Sequence, residues 1–294
     1  MRESIVCIGQ IGEKPYCFPE TGTQIFSYEE LCYYLSRHMV CYLYTLPDEE
    51  LLYYIRDELG LEKLYRQLSK LMNPEKDQMK YFAALFREGH YFSEEEIRQI
   101  LDEYRSLKNA PYPLQCKWMG DLSVEAGRAT TALHYYREAL KQGMLEEEEI
   151  GAVYHNMAIA KSKLFRFGEA RILFLKAYQH GGEEESLFYY YCIIAFTEGL
   201  EKAAVELQSF QVTDILKGTF EERFAQMEED FSFTEQAAKQ KRICFLRENQ
   251  KEEEADNLYF QYVRKLQKDF RQELETDDTL PVLNLPVAGQ KVVN

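Results

Sequence analysis

The side chains most able to do chemistry in this chain are its seven cysteines and five histidines. Cys7, Cys17, Cys32 and Cys41 cluster near the N-terminus, at separations of 10, 15 and 9 residues. Four thiolates can hold a structural zinc ion, but common zinc knuckles place paired ligands only about two to four residues apart. No Cys-x-x-Cys occurs, and with Cys116, Cys192 and Cys244 the count is odd. Several cysteines stand where a small apolar residue is wanted, so reduced thiols are expected rather than a metal site or disulfides. His38, His90, His134, His155 and His180 are scattered without a metal-ligand spacing. The sequence has no Gly-rich phosphate loop, nucleophile elbow or zinc-protease motif. Paired carboxylates carry no information in a chain with 50 acids. The expectation is therefore no catalytic residue, no metal, no cofactor and no enzymatic activity.

The formal net charge is −15, with acidic runs at Glu94–Glu96, Glu146–Glu149, Glu183–Glu185 and Glu252–Glu254. Most of these runs fall at predicted helix starts, where a carboxylate complements the helix dipole. A surface that selects a basic partner is the alternative reading. Either way the charge argues against nucleic acid, which needs a Lys/Arg stripe. Arg2, Glu3 and a short apolar stretch, Ile5–Ile8, follow Met1, so no secretory signal is expected. The longest apolar run, Leu187–Phe196, is half of a membrane span. A soluble cytoplasmic protein without a membrane association is expected.

The segment from Leu114 to about Phe210 repeats itself. In the first copy Cys116, Met119, Gly120, Gly127, Ala132, Tyr136 and Ala139 fall in order. In the second, Tyr154, Met157, Ala158, Phe167, Ala170, Phe174 and Ala177 follow at nearly the same spacings. A weaker third copy has Phe188, Tyr191, Cys192, Gly199 and Ala204. Small residues (Gly120, Ala158, Cys192; then Ala132, Ala170, Ala204) are expected where two helix backbones approach, with Met119, Met157 and Tyr191 filling the space beside them. A period near 3.6 places each set on one helix face. Ala132 and Ala170 are 38 residues apart, Ala170 and Ala204 only 34, and the four extra residues are placed around Glu146–Glu149.

This pattern resembles the tetratricopeptide repeat, a helix–turn–helix unit with Ala-x3-aromatic in its second helix. A chance alignment within an ordinary helical bundle is the competing reading. The resemblance implies a mainly α fold: a tetratricopeptide-like solenoid of stacked hairpins, with a peptide or helix bound on the concave face. In that family the first helix of each hairpin lines the groove. By register these residues are Lys117, Asp121 and Glu125; then His155, Asn156, Ile159 and Lys163; then Tyr189, Tyr190, Ile193 and Phe196. The subfamily that clamps chaperone tails uses two Lys, two Asn and an Arg. Here Lys117 and Asn156 match, but Asp121 replaces an Asn, and Ser186 and Tyr190 stand where Lys and Arg belong. Binding of chaperone tails is therefore not expected. The competing reading of each groove residue is a solvated or repeat-packing side chain.

The remaining chain divides by composition. Residues 1–46 are read as a small β-hairpin plus helix unit, with short strands over Ser4–Gln10 and Pro15–Phe26 punctuated by Gly and Pro. Ser27, with Glu30 three residues on, predicts a capping box opening a helix to about His38. Residues 47–110 are read as helical: a start at Pro47-Asp48, an interruption at Gly60, a helix over Leu61–Met72, another from Asn73-Pro74 to near Gly89, and one capped by Ser93 and Glu96. Phe82, Leu85, Gly89 and Tyr91 echo the repeat, so Pro74–Lys108 is read as a degenerate hairpin of the same kind. Residues 111–217 hold the three repeats. Residues 218–275 are read as a capping pair of long helices, Phe220–Arg247 and Glu252–Leu274, with self-association through them as the alternative. Residues 276–294 are a tail whose Leu280–Val287 stretch is apolar enough to dock. The functional expectation is a scaffold or adaptor that binds a protein or peptide. The alternatives are a peptide-responsive regulator and partner binding through the N-terminal edge strand.

Overall fold

The structure, a computed structural model, describes residues 9–73, 77–141, 143–210 and 212–279. Most of the expected Ser4–Gln10 strand, Cys7, Pro74 and the Leu280–Val287 stretch lie outside the described residues. The fold is mainly helical, with one small antiparallel sheet. Strands β1 (Tyr16–Cys17) and β2 (Gln24–Ile25) pair with Tyr16 opposite Ile25. Tyr16 and Ile25 are buried while Cys17 and Gln24 are exposed, the period-two alternation of a half-buried hairpin.

Helix α1 (Tyr28–Arg37) starts at Ser27, whose hydroxyl accepts from the Glu30 N–H while the Glu30 carboxylate accepts from the Ser27 N–H. This is the capping box read from the sequence. A 3-10 turn, Met39–Tyr42, follows. Helix α2 (Glu49–Asp57) is capped by Asp48. Helix α3 (Glu62–Leu68) ends in a 3-10 turn, Ser69–Leu71, where the sequence predicts unbroken α-helix to Met72. Helices α4 (Gln78–Glu88) and α5 (Glu94–Asn109) follow, the latter opened by the expected Ser93–Glu96 capping box. Three helix pairs occupy the repeat region: α6 (Tyr112–Glu125) with α7 (Ala129–Lys141), α8 (Glu147–Lys163) with α9 (Phe167–Gly181), and α10 (Glu184–Glu198) with α11 (Leu200–Gln208). The chain continues through α12 (Asp214–Ser232), α13 (Glu235–Glu248) and α14 (Glu252–Thr279).

Where the sequence predicts one helix over Phe220–Arg247, the structure has two. The break falls at Phe233-Thr234, and the Thr234 hydroxyl accepts from the Ala237 N–H at 3.2 Å. A threonine is costly inside a helix and favourable at its N-cap, so the local hydrogen bond wins.

Close contacts divide the chain into two compact units, residues 9–126 with 131–145 and residues 127–130 with 146–278. The first is packed around Tyr42, Tyr81, Phe82, Phe86 and Tyr104, all fully buried. The Tyr42 carbonyl accepts from the Tyr104 hydroxyl and from the Gln78 amide, each at 3.0 Å, whereas the buried Tyr81 hydroxyl has no hydrogen-bond partner among the described residues. In the α6–α7 pair Cys116, Met119, Ala132, Tyr136 and Ala139 are all buried. A Cβ at Gly120 would lie 2.4 Å from the Tyr136 ring, which is why the small slot holds glycine.

The second unit is packed around Ala158, Ala170, Phe174, Phe188, Tyr191 and Phe220. One close backbone approach in it falls at residues the sequence reading did not single out. A Cβ at Gly151 of α8 would lie 2.7 Å from the Gly181 nitrogen of α9. In the α10–α11 pair the fully buried alanine is Ala203, and Ala204 is only half-buried. The expected register is thus one residue late there.

The turn inside each pair falls seven residues after Gly120, Ala158 or Cys192, at Gly127, Phe165 and Gly199. All three have left-handed φ, of 78°, 57° and 98°. At α8 the Arg166 N–H reaches the Lys161 carbonyl at 2.9 Å, closing a Schellman-type end around Phe165. Glycine tolerates that backbone; phenylalanine is strained in it.

Candidate functional site

Eight of the eleven residues expected to line a groove belong to the second unit, and α8 and α10 position them. His155, Asn156, Ile159 and Lys163 follow helical spacing on α8, as do Tyr189, Ile193 and Phe196 on α10. The two sets meet. The His155 ring lies 5.7 Å from that of Tyr189 and 5.3 Å from Phe174 of α9, both edge-on. Tyr189 in turn stacks on Phe174 at 5.4 Å. His155 Nδ1 is 2.8 Å from the Ser186 Oγ at the start of α10. Burial holds the His155 pKa below its ordinary value, against the carboxylates of Glu183 and Glu185. The imidazole therefore sits neutral as a packing and hydrogen-bonding group.

The residues of this face differ in what they offer a partner. Ile193 is buried and Ile159 half-buried against the same core. Asn156 is half-buried and Lys163 exposed. Phe196 is 72% exposed, its ring 5.6 Å from Phe167. Phe167 touches Phe165, itself 67% exposed, and Phe165 touches Phe270 of α14 at 5.6 Å. An apolar line of phenylalanines therefore runs on from Phe196, a feature that sequence spacing alone did not reveal. Further along α10, Arg223 of α12 lies 3.7 Å over the Phe188 ring and bonds the Glu185 carboxylate.

Ser186 and Tyr190, which stand at clamp positions of the chaperone-tail binders, are both buried. Tyr190 donates to Glu206 at 3.1 Å, and Arg171 stands by its hydroxyl. The Ser186–His155 distance would suit activation of a hydroxyl nucleophile. Ser186 is only 1% exposed, so no substrate reaches its oxygen.

Lys117, Asp121 and Glu125, the other three expected residues, lie on α6 in the first unit, where Lys117 and Asp121 are spent on each other. Lys117 Nζ is 2.8 Å from Asp121 Oδ2, and Asp121 Oδ1 accepts from the Tyr136 hydroxyl at 2.8 Å. Asp121 also lines a cleft of about 500 Å³, with Arg37, His38, Glu103, Trp118 and Glu125. A second cleft of about 600 Å³, lined by Gln99, Asp102, Glu103, Ser106, Leu107 and Trp118, shares Glu103, Leu107 and Trp118 with the first. His38 is stacked on Tyr34 at 4.0 Å, and burial lowers its pKa.

Among the described residues no group of three or more His, Cys, Asp or Glu is placed to hold a metal ion. Cys17, Cys32, Cys41, Cys116, Cys192 and Cys244 are free thiols. Among the described residues no helix is long and apolar enough to cross a membrane. No family model, curated protein or solved structure matches the chain.

Proposed function

We propose that the chain is a tetratricopeptide-like solenoid of stacked helical hairpins that works in the cytosol as a non-enzymatic scaffold. In this reading a polypeptide, extended or helical, lies along the α8–α10 face of the second unit. One observation carries the proposal: His155 of α8 meets Tyr189 of α10, and the same face continues to Phe196, a large apolar side chain left 72% exposed. An aromatic anchor on α10, with Asn156 and Lys163 at helical spacing on α8, suits a peptide held by one apolar side chain and by hydrogen bonds to its backbone. The repeated left-handed turn at Gly127, Phe165 and Gly199 supports the stacked-hairpin reading. The inaccessible Ser186 supports the absence of nucleophilic catalysis there.

The N-terminal edge is the weaker candidate. Each strand is two residues long, so an added partner strand would gain few backbone hydrogen bonds.

The test is capture of a partner on the full chain by mild crosslinking, followed by affinity measurement with Phe196→Ala and Asn156→Ala. Truncating a true anchor costs about 2 kcal/mol or more in binding. Both variants should weaken the complex, and with Phe196→Ala, whose ring is mostly exposed, the melting temperature should stay close to the parent's. Normal binding by both variants contradicts the reading.

A further inference from the structure

The two clefts that meet at Trp118 lie wholly within the first unit, apart from the face described above. Trp118 is the chain's single tryptophan, and it is half-buried. It belongs to the wall of both clefts, with Leu107 beside it. Each cleft has the volume of an ordinary ligand site.

The charges around it are unevenly matched. Asp121 is paired with Lys117, and Asp102 with Arg105 at 2.6 Å. The guanidinium of Arg37 lies over the Tyr33 ring at 4.7 Å. His38 is held neutral at pH 7 by burial. Glu103 of α5 and Glu125 of α6 are exposed and have neither an ion pair nor a hydrogen bond among the described residues. The concavity thus combines an aromatic wall and the Arg37 cation with two carboxylates that have no ion pair among the described residues, on a chain of net charge −15.

We propose that this double cleft binds a basic polypeptide segment, with an arginine side chain against the Trp118 indole and its guanidinium paired with Glu103 or Glu125. Three features support that occupant. A guanidinium stacks on an aromatic face and bonds a carboxylate at the same time. Two adjoining clefts accommodate successive side chains of one peptide. The negative field of the whole chain draws in basic segments. The proposal does not rest on the α8–α10 face, and either can fail without the other.

The test uses the full chain and a tetra-arginine amide peptide. Binding is followed by calorimetry and by the emission of Trp118, which reports on this site alone because no other tryptophan exists. Saturable binding that shifts the emission is expected, with no response to tetra-glutamate. Glu103→Gln/Glu125→Gln should weaken the peptide about fivefold or more, because two exposed ion pairs are lost. Glu252→Gln/Glu253→Gln, the same charge change on residues that line neither cleft, should leave affinity within about twofold. Trp118→Leu should weaken binding in calorimetry, and Phe196→Ala should leave it unchanged. Three results would overturn the proposal: no saturable binding, binding without a change in Trp118 emission, or equal weakening by the two glutamate double variants.

Discussion

Gly151 and Gly168 sit on neighbouring helices of the second unit, and the same substitution at each should move stability in opposite directions. A Cβ at Gly151 would lie 2.7 Å from the Gly181 nitrogen, 2.8 Å from its Cα and 3.2 Å from the Ala177 carbonyl oxygen. All three are backbone atoms, so no side chain can rotate away and α8 and α9 must separate. At Gly168, in the first turn of α9, a Cβ meets nothing within 4 Å. Glycine to alanine inside a helix gains up to about 1 kcal/mol from propensity alone. Overpacking in a tight core costs about 1–3 kcal/mol, and backbone contacts place Gly151 at the upper end. Gly151→Ala should therefore lose about 1–2 kcal/mol net, while Gly168→Ala should gain several tenths. Urea denaturation followed at 222 nm reads both as shifts in midpoint at unchanged slope. If Gly151→Ala is as stable as the parent, the close crossing of α8 on α9 is wrong, and with it the positions assigned to the face on α8.

Three further expectations follow from particular residues. Phe165→Gly should raise stability by roughly 1 kcal/mol, because glycine relieves the left-handed strain and the lost ring is mostly exposed; a falling melting temperature would mean that its contacts with Phe167 and Phe270 outweigh the strain. In the native protein Cys17 and Cys244 should react rapidly with a thiol reagent, while Cys32, Cys41 and Cys116 wait for unfolding; burial pushes the Cys32 thiol up to about 12 and that of Cys116 to about 11, and quantitative alkylation mass spectrometry checks the order. Burial lowers the pKa of His155 and of His38, so below the ordinary histidine value of about 6.5 the unfolded chain takes up protons that the folded one does not. Stability should therefore fall as the pH drops from 7.5 to 5.5, and the His155→Asn/His38→Asn double variant should flatten that slope in urea melts.

Much of the helical architecture was legible because its signals are local. Ser27 with Glu30 and Ser93 with Glu96 announce their helices within four residues, and both capping boxes form. The alternation of small and large residues marked Gly120, Ala132, Ala158 and Ala170 as buried contacts, and all four are. The break at Thr234 was missed because no Gly or Pro marks it; its one signal is a Thr before Glu235, which reads equally well as helix interior. The third pair was read one residue late because Ala203 and Ala204 are adjacent, and only the packed structure decides which faces the core. Gly151 opposite Gly181 was invisible for a different reason: the constraint belongs to a pair of residues 30 apart, and neither carries it alone. The same holds for the candidate sites. Helical spacing placed His155 of α8 and Tyr189 of α10 where their rings meet, but it could not tell buried Ile193 from exposed Phe196. The Trp118 clefts draw on residues from Ser36 to Glu125, a grouping that no periodicity within one helix encodes.

The most direct test of polypeptide binding on the α8–α10 face is site-specific photo-crosslinking in the native cell. A benzoyl-phenylalanine is placed at Phe196 and, for comparison, at Phe233, which is 81% exposed on the C-terminal side of the same unit. The account predicts a discrete polypeptide adduct from position 196 that is lost when Asn156→Ala is added, and none of the same mass from position 233. No adduct from position 196, or the same adducts from both positions regardless of Asn156, would contradict it.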